Sequence, residues 1–160
     1  MADKIVVMQG RPYRAGRARR SRSMTIRCNL FVAGFIGSPA MNLVSGTLRG
    51  DNGAPACGDR GWRGLCRCRR RAPGQAGQAV YYGVRPDHLT CRQRHGGFEA
   101  TVDVVEPTGA DTLVFARAGN QKICGAFAER YSFAGERIAL APRLDCVHLF
   151  DAQSGVNLMP

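Results

Sequence analysis

Residues 98–105 read Phe98-Glu99-Ala100-Thr101-Val102-Asp103-Val104-Val105, and this stretch decides the fold class. Phe98, Ala100, Val102 and Val104 share one parity; Glu99, Thr101 and Asp103 share the other. Successive side chains on a strand point to opposite faces, so this period predicts a half-buried strand with its carboxylates in solvent. Glu106-Pro107-Thr108-Gly109 then turns the chain. Working outward in both directions, short apolar runs recur at the roughly 8–12-residue spacing of a small barrel or sandwich. They are Leu43–Arg49, Ala79–Arg85 (stopped by Pro86), Thr112–Arg117, Lys122–Phe127, Arg137–Leu140 and Cys146–Phe150, with Asp51-Asn52-Gly53 as a further turn. Residues 29–36 break the pattern. Phe31 and Phe35 lie four apart behind Asn29, a capping residue, and Gly37-Ser38-Pro39 follows, which together predict a short helix. Lys4-Ile5-Val6-Val7-Met8 is a continuous apolar run of the kind found in buried strands. The expected fold is therefore mainly β, with a strand and a short helix at its N-terminal side. Phe31, Phe35, Phe98, Phe115 and Phe127 are expected in the core.

Charge divides the chain differently. The 160 residues carry a net charge of +11. Arg11, Arg14, Arg17, Arg19, Arg20, Arg22 and Arg27 form one tract; Arg60, Arg63, Arg67, Arg69, Arg70 and Arg71 a second; Arg92 and Arg94 a third. These tracts hold 15 of the 23 basic residues and one acid, Asp59, leaving a remainder of net charge −3. Cys28, Cys57, Cys66, Cys68 and Cys91 also fall in the tracts, and only Cys124 and Cys146 lie outside. The first two tracts, 11–28 and 57–71, have no apolar period and are expected as irregular loops, or as a poorly packed helix in the first. No apolar run reaches the roughly 18 residues a membrane span needs. The start also lacks the cleavage site of a secretory signal, so a cytoplasmic setting is expected.

The weaker chemistries fall away on spacing. Cys57, Cys66, Cys68 and His95 do not make a zinc knuckle, since Cys66-Arg67-Cys68 is tighter than the usual Cys-x₂₋₄-Cys pair. An odd cysteine count in a cytoplasmic chain argues against a disulfide scaffold. Basic tracts on a small barrel suggest single-stranded nucleic acid, but such sites add aromatic stacking platforms. Only Tyr13 and Trp62 lie in the tracts, so a small basic OB-like nucleic-acid-binding protein stays as the alternative reading.

Several motifs together carry a resemblance. Residues 2–8 and Asn29-Leu30-Phe31-Val32-Ala33-Gly34-Phe35-Ile36-Gly37-Ser38-Pro39-Ala40-Met41-Asn42 resemble a junction in the ATPase subunits of bacterial sugar and glycerol-3-phosphate ABC importers. There the nucleotide-binding domain hands over to a C-terminal regulatory domain. Tyr82-Gly83-Val84-Arg85-Pro86-Asp87-His88-Leu89 is similar to that domain's Gly-(Ile/Val)-Arg-Pro-(Glu/Asp)-His motif. Val104-Val105-Glu106-Pro107-Thr108-Gly109 and Val147-His148-Leu149-Phe150-Asp151 match as well. The resemblance covers 1–10, 29–56, 72–90 and 97–160, or 121 residues.

The resemblance implies an OB-like β-barrel regulatory domain, of the transport-associated OB kind, over 37–160. It makes 1–36 a remnant of the nucleotide-binding domain. It marks Phe35, Gly37, Pro39, Met41, Asn42, Gly83, Arg85, Pro86, Asp87, His88, Glu106, Pro107, Gly109, His148 and Phe150 as structural or interface residues. Its implied partners are permease subunits, a second ATPase subunit and a regulatory protein, on the cytoplasmic face of the bacterial membrane. No specific nucleic acid is implied. ATP and Mg belong to the full-length family. Residues 1–160 contain no Gly-rich loop ending in Gly-Lys-Ser/Thr to cradle phosphates, and His88, His95 and His148 do not follow an Asp-bearing apolar strand as the family's switch histidine does. The signature segment and Walker-B carboxylates precede residue 1 in the family pattern. No cofactor, no metal site, no catalytic residue and no enzymatic activity are expected of this chain by itself.

The tracts depart from the resemblance in a regular way. Arg11-Pro12-Tyr13-Arg14-Ala15-Gly16-Arg17, read one base later, gives Gly-Arg-Ile-Glu-Gln-Val-Gly, which the family places there. Arg20–Cys28, read one base earlier, gives Pro-Leu-Ala-Leu-Tyr-Asp-His-Pro-Leu. Gly58-Asp59-Arg60-Gly61-Trp62-Arg63-Gly64, read one base later, gives Glu-Thr-Ala-Asp-Gly-Val-Ala, a hairpin turn. Met24 and Trp62 have a single codon each and both fit. The expectation is a truncated, frame-shifted coding sequence.

Overall fold

The alternation that begins at Phe98 runs through the middle strand of the larger sheet. A computed structural model describes residues 4–5, 18–19, 29–35, 37–48, 74–92, 98–128 and 135–159. In chain order these give β1 (Lys4–Ile5), β2 (Ala18–Arg19), α1 (Leu30–Phe35), β3 (Asn42–Thr47) and β4 (Ala79–Val84). A single 3₁₀ turn (Pro86–His88) leads into β5 (Leu89–Arg92). Then come β6 (Phe98–Pro107), β7 (Thr112–Ala118), β8 (Gln121–Phe127), β9 (Arg137–Pro142) and β10 (His148–Asp151).

The larger sheet has the order β5-β9-β6-β7-β8, antiparallel throughout. Its two edges approach each other, since β8 lies against both β5 and the 3₁₀ turn. Strand twist curls such a sheet toward closure. A smaller antiparallel sheet, β10-β4-β3, covers the concave side. Phe98, Ala100, Val102, Val114, Ala116, Ile123 and Leu140 from the large sheet pack with Val44, Val80, Tyr82, Val84 and Leu149 from the small one. Burying each of the larger apolar side chains contributes roughly 1.5–3 kcal/mol. The mainly β, OB-like expectation is met, with one short helix.

That helix sits over the small sheet. The Asn29 side-chain oxygen accepts a 2.9 Å hydrogen bond from the Val32 amide, capping the first turn as the sequence suggests. The Leu30 amide donates to the Gly155 carbonyl at 2.7 Å, and Asn29 bridges to Val156. Ala33, Met41 and Phe150 form a second apolar cluster there, joined by Leu30, Leu43 and Tyr81.

Three expectations need correction. Val104 is 46% exposed, not inward. Asp103 is bulged out of the β6–β7 ladder, so Val102 opposes Ala116 while Val104 opposes Phe115. One extra residue reverses the parity of everything after it, and Val105 turns to the core instead. Phe35 is 69% exposed and merely stacks on Phe31, at 6.2 Å between ring centres, because a six-residue helix buries only one side. Phe31 and Phe115 are half-buried; Phe98 and Phe127 are core. Pro86 does stop β4 as expected, and a further strand that was not among those expected, β5, follows it and pairs Cys91 with Leu140. Finally, part of the first Arg tract is a strand: Ala18–Arg19 pairs antiparallel with Lys4–Ile5, a ladder too short to need any apolar period. The second tract, the 51–53 turn and the other segments of the re-read frame lie outside the described residues, as does His95.

Candidate functional site

The residues marked by the resemblance gather in three places. The first is the seam between α1, the small sheet and β8. Met41 and Phe150 are buried there on either side of Gly83. A Cβ on Gly83 would stand 2.8 Å from the Met41 sulfur and 2.8 Å from a Phe150 ring carbon. Glycine at this site is a matter of space, since β4 must pass directly beneath the two side chains. Next to them, Asn42 (8% exposed) turns its amide onto the edge of β8. Its Nδ2 donates to the Cys124 carbonyl at 2.8 Å, and its Oδ1 accepts from the Cys124 amide at 2.8 Å. A side chain here completes a rung that a neighbouring strand would otherwise supply. His148 lies on the same side of β10, with its ring centre 6.2 Å from that of Phe150 and its Nδ1 3.4 Å from the Asn157 side-chain Nδ2. Phe35, Gly37 and Pro39 belong to the link from α1 into β3, with Gly37 at φ 128°.

The second place is the 3₁₀ turn against β8. Pro86 is buried and opens the turn; the His88 amide donates to the Arg85 carbonyl at 3.0 Å. Asp87 projects outward between Arg85, whose Nε is at 3.4 Å, and His88, whose Nε2 is at 3.8 Å. His88 Nδ1 is buried and has no hydrogen-bond partner among the described residues. The His88 carbonyl accepts from the Arg143 amide at 2.8 Å, and Arg143 pairs with Asp145 at 3.6 Å. Burial pushes the Cys146 thiol up, and the Asp145 carboxylate adds to that. This cluster ties the β4–β5 corner to the β9–β10 corner.

The third place is the far end of the β6–β7 hairpin. Glu106 and Pro107 are exposed at the end of β6. The turn itself is 108–111: the Thr108 amide and hydroxyl each donate to the Asp111 carbonyl at 2.8 Å, with Gly109 at φ 96°. Only glycine adopts that φ without strain. The three places are distinct, although the Glu106 charge reaches Cys124 at the edge of β8.

Two features had no mark in the sequence reading. Arg117 forks onto the bulged Asp103, with Nε 2.9 and 3.0 Å from its two oxygens and Nη2 at 2.9 Å. That hydrogen bond, then the charge of Asp103, raises the Arg117 pKa. The other is Asp151, which accepts from the Ser154 amide, the Ser154 hydroxyl, the Gln153 amide and the Gln78 amide group. The Ser154 amide, followed by Gln78, draws its pKa down from 3.8 to about 2. An Asp followed three residues on by Ser was the available signal for that loop. Among the described residues no group of His, Cys, Asp and Glu is placed to hold a metal, and no helix is long and apolar enough to cross a membrane.

Comparison with known proteins supplies the lineage. Residues 37–89 match the MalK OB fold domain and residues 82–150 the TOBE domain. The ABC transporter ATP-binding protein y4oS of Sinorhizobium fredii is 37% identical over 161 residues, covering 99% of this chain and 42% of that protein. The xylose/arabinose import ATP-binding protein XacK of Haloferax volcanii is 36% identical over 135 residues, covering 79% of this chain and 34% of XacK. The sn-glycerol-3-phosphate import ATP-binding protein UgpC of Salmonella typhi is 36% identical over 140 residues, covering 78% of this chain and 35% of UgpC. The chain thus spans less than half the length of each of these relatives. With both matched domains folded as one OB-like β body, the chain belongs to the MalK-type OB and TOBE family, as the C-terminal region of ABC transporter ATP-binding proteins.

Proposed function

We propose that this chain acts as the C-terminal regulatory and dimerisation portion of an ATP-binding subunit for carbohydrate-type import. The observation that carries the reading is the run of two adjoining domain matches over 37–150, on residues that share one apolar core. The names of XacK and UgpC support a sugar or glycerol-phosphate class of solute for the parent transporter. The boundary of the regulatory domain is placed at residue 37, with 1–36 belonging to the nucleotide-binding side. The motif residues of the seam and the 3₁₀ turn have structural roles, whereas Glu106 stands on an exposed face available for contact. Permease subunits and a second ATP-binding subunit are the partners, and a regulatory protein is a further one, on the cytoplasmic face of the membrane. The chain by itself does not hydrolyse ATP. Two experiments test this. Calorimetry of residues 1–160 with Mg-ATP is expected to show no saturable binding. A relative's ATP-binding subunit carrying residues 37–160 in place of its own C-terminal region should retain permease-stimulated ATP hydrolysis; loss of that stimulation in a folded chimera overturns the reading.

A further inference from the structure

The edges of the two sheets are not treated alike. On the outer side of β10 the backbone groups are taken up by the end of the chain: the Asp151 amide donates to the Val156 carbonyl at 2.9 Å, and the Leu158 amide to the Leu149 carbonyl at 2.7 Å. β5 and β8 lie against each other, and Asn42 holds the amide and carbonyl of Cys124 on the outer side of β8. β3 is the last strand of its sheet. The Leu48 amide donates to the Gln78 carbonyl at 2.9 Å. The register carries that parity along the strand, so Asn42, Val44 and Gly46 pair their backbones with Val84, Tyr82 and Val80. Residues between them in an antiparallel pair turn their backbone groups the other way. The N–H and C=O groups of Leu43, Ser45 and Thr47 therefore stand on the free side of β3, and no hydrogen bond between described residues reaches them.

Proteins usually guard such an edge with a charge, a proline or a bulge. β3 reads Asn42-Leu43-Val44-Ser45-Gly46-Thr47, contains neither a charge nor a proline, and keeps its register with β4 throughout. Its surroundings suit a further strand. On one face Val44 and Leu48 belong to the main core. On the other Leu43 is half-buried beside Leu30, Tyr81 and Phe150, while Ser45 and Thr47 are exposed. A strand laid alongside would place alternate side chains next to Val44 and Leu48, where apolar groups fit. The side chains between them would stand beside Ser45 and Thr47, in water.

We propose that the outer edge of β3 is a docking site for an extended segment of an acidic partner protein, which joins the small sheet as an added strand. Main-chain hydrogen bonds to Leu43, Ser45 and Thr47 supply the affinity, and the alternating side chains supply the selectivity. Residues 49–73, which link β3 to β4, are rich in Gly and Arg and have no apolar period, and Pro55 has no N–H to give to a ladder. The strand therefore comes from another molecule. Charge decides which one. A net charge of +11 sets two copies of the chain against each other and draws an acidic segment in. The segment recognised alternates apolar residues with Glu, Asp or Thr over at least about five residues. The inference goes beyond the regulatory reading above and does not rest on it.

Titration of residues 1–160 with an end-blocked peptide of about seven residues, valine alternating with glutamate and threonine, tests it. The peptide should bind saturably and slow amide exchange, read by NMR, at Leu43, Ser45 and Thr47. Ser45→Pro removes one outward donor and no bond to β4, and should weaken binding at least about tenfold with an unchanged circular dichroism spectrum. A peptide N-methylated on its ladder-forming amides should lose binding to the unaltered chain, which keeps the test decisive if the proline variant does not fold. Lysine in place of glutamate should weaken binding at least about threefold. No saturable binding at about 1 mM peptide overturns the proposal. So does binding that leaves those three amides unprotected, that ignores N-methylation, or that is as tight with lysine as with glutamate. Protection of the three amides without peptide overturns it as well: independent of protein concentration, it makes residues 49–73 the occupant; rising with concentration, it makes a second copy the occupant. The permease and ATP hydrolysis play no part in these measurements, so their failure leaves the regulatory reading standing, and failure of the chimera leaves the docking edge standing.

Discussion

Asn42 and Cys124 are 82 residues apart in sequence and exchange two hydrogen bonds of 2.8 Å, side-chain amide to backbone. The contact joins the first strand of the small sheet to the edge of the large one. Asn42→Leu keeps the volume and removes both partners. It leaves the amide and carbonyl of a buried residue unpaired, at about 1–3 kcal/mol for each group. Urea unfolding of Asn42→Leu should show a loss of about 2–4 kcal/mol without a change in slope. An unchanged midpoint would mean that water replaces the side chain and that the seam is not closed.

Gly83→Ala should destabilise by about 1–3 kcal/mol, through overpacking and not through backbone strain. The new methyl meets the flexible end of Met41 and the less yielding ring of Phe150. Phe150→Leu, introduced with Gly83→Ala, should recover part of the loss. Thermal melts of the two single variants and the pair decide this by their non-additivity.

Asp151 gives the fold an acid limb. Its folded pKa, about 2, lies below the ordinary 3.8. The stabilisation from the Ser154 and Gln78 hydrogen bonds is therefore complete above the unfolded value and is lost as pH falls from about 4 toward 2. Melting temperatures measured across pH 2–6 should drop over that window in the wild type and drop less in Asp151→Asn. Parallel curves would show that other carboxylates govern acid unfolding.

The Cys124 thiol is raised to about 11 by burial, with the Glu106 charge adding to it. Thiolate is the reacting species, so Cys124 should resist iodoacetamide at pH 8 in the folded chain and react on denaturation. Mass spectrometry of peptides labelled before and after unfolding reads this directly. Modification of Cys124 in the native chain would show that the edge of β8 opens readily.

Replacing Gly58–Gly64 by Glu-Thr-Ala-Asp-Gly-Val-Ala removes Arg60 and Arg63 and adds a hairpin signal. If the tract is displaced coding sequence, the repaired chain should melt more cooperatively and at a higher temperature than the present one. Equal melts would make the tract native to the protein.

The fold was readable where side-chain period and solvent exposure coincide. Phe98, Ala100 and Val102 alternate because β6 has a wet face and a dry one, and the cap at Asn29 is likewise written in its own residue type. The reading failed where geometry has no compositional mark. A bulge at Asp103 inserts nothing unusual into the sequence, yet it reverses Val104 and Val105. Two aromatics four apart look the same whether a helix buries both or, as here, leaves Phe35 in solvent. β5 was hidden because Cys91 and Arg92 resemble the basic tracts in composition, while their pairing with β9 is a long-range property. For the candidate site, Asn42, Gly83 and the 85–88 turn were noticed through likeness to relatives. What each does, from exchanging hydrogen bonds with Cys124 to leaving room for Met41 and Phe150, depends on strands brought together from distant positions.

The bridge from Asn29 to Val156 places the point where the chain enters the β body beside the point where it leaves. A unit whose two ends meet can be moved as a cassette. Residues 29–159 can be spliced into a surface loop of an unrelated host with short joints, because neither the host nor the guest must stretch to close the gap. The same adjacency makes the pair a lever. A pull or twist applied through the chain preceding Asn29 is delivered at the 155–157 strap and onto Leu149 and Phe150 beneath it, with no need to pass through the larger sheet.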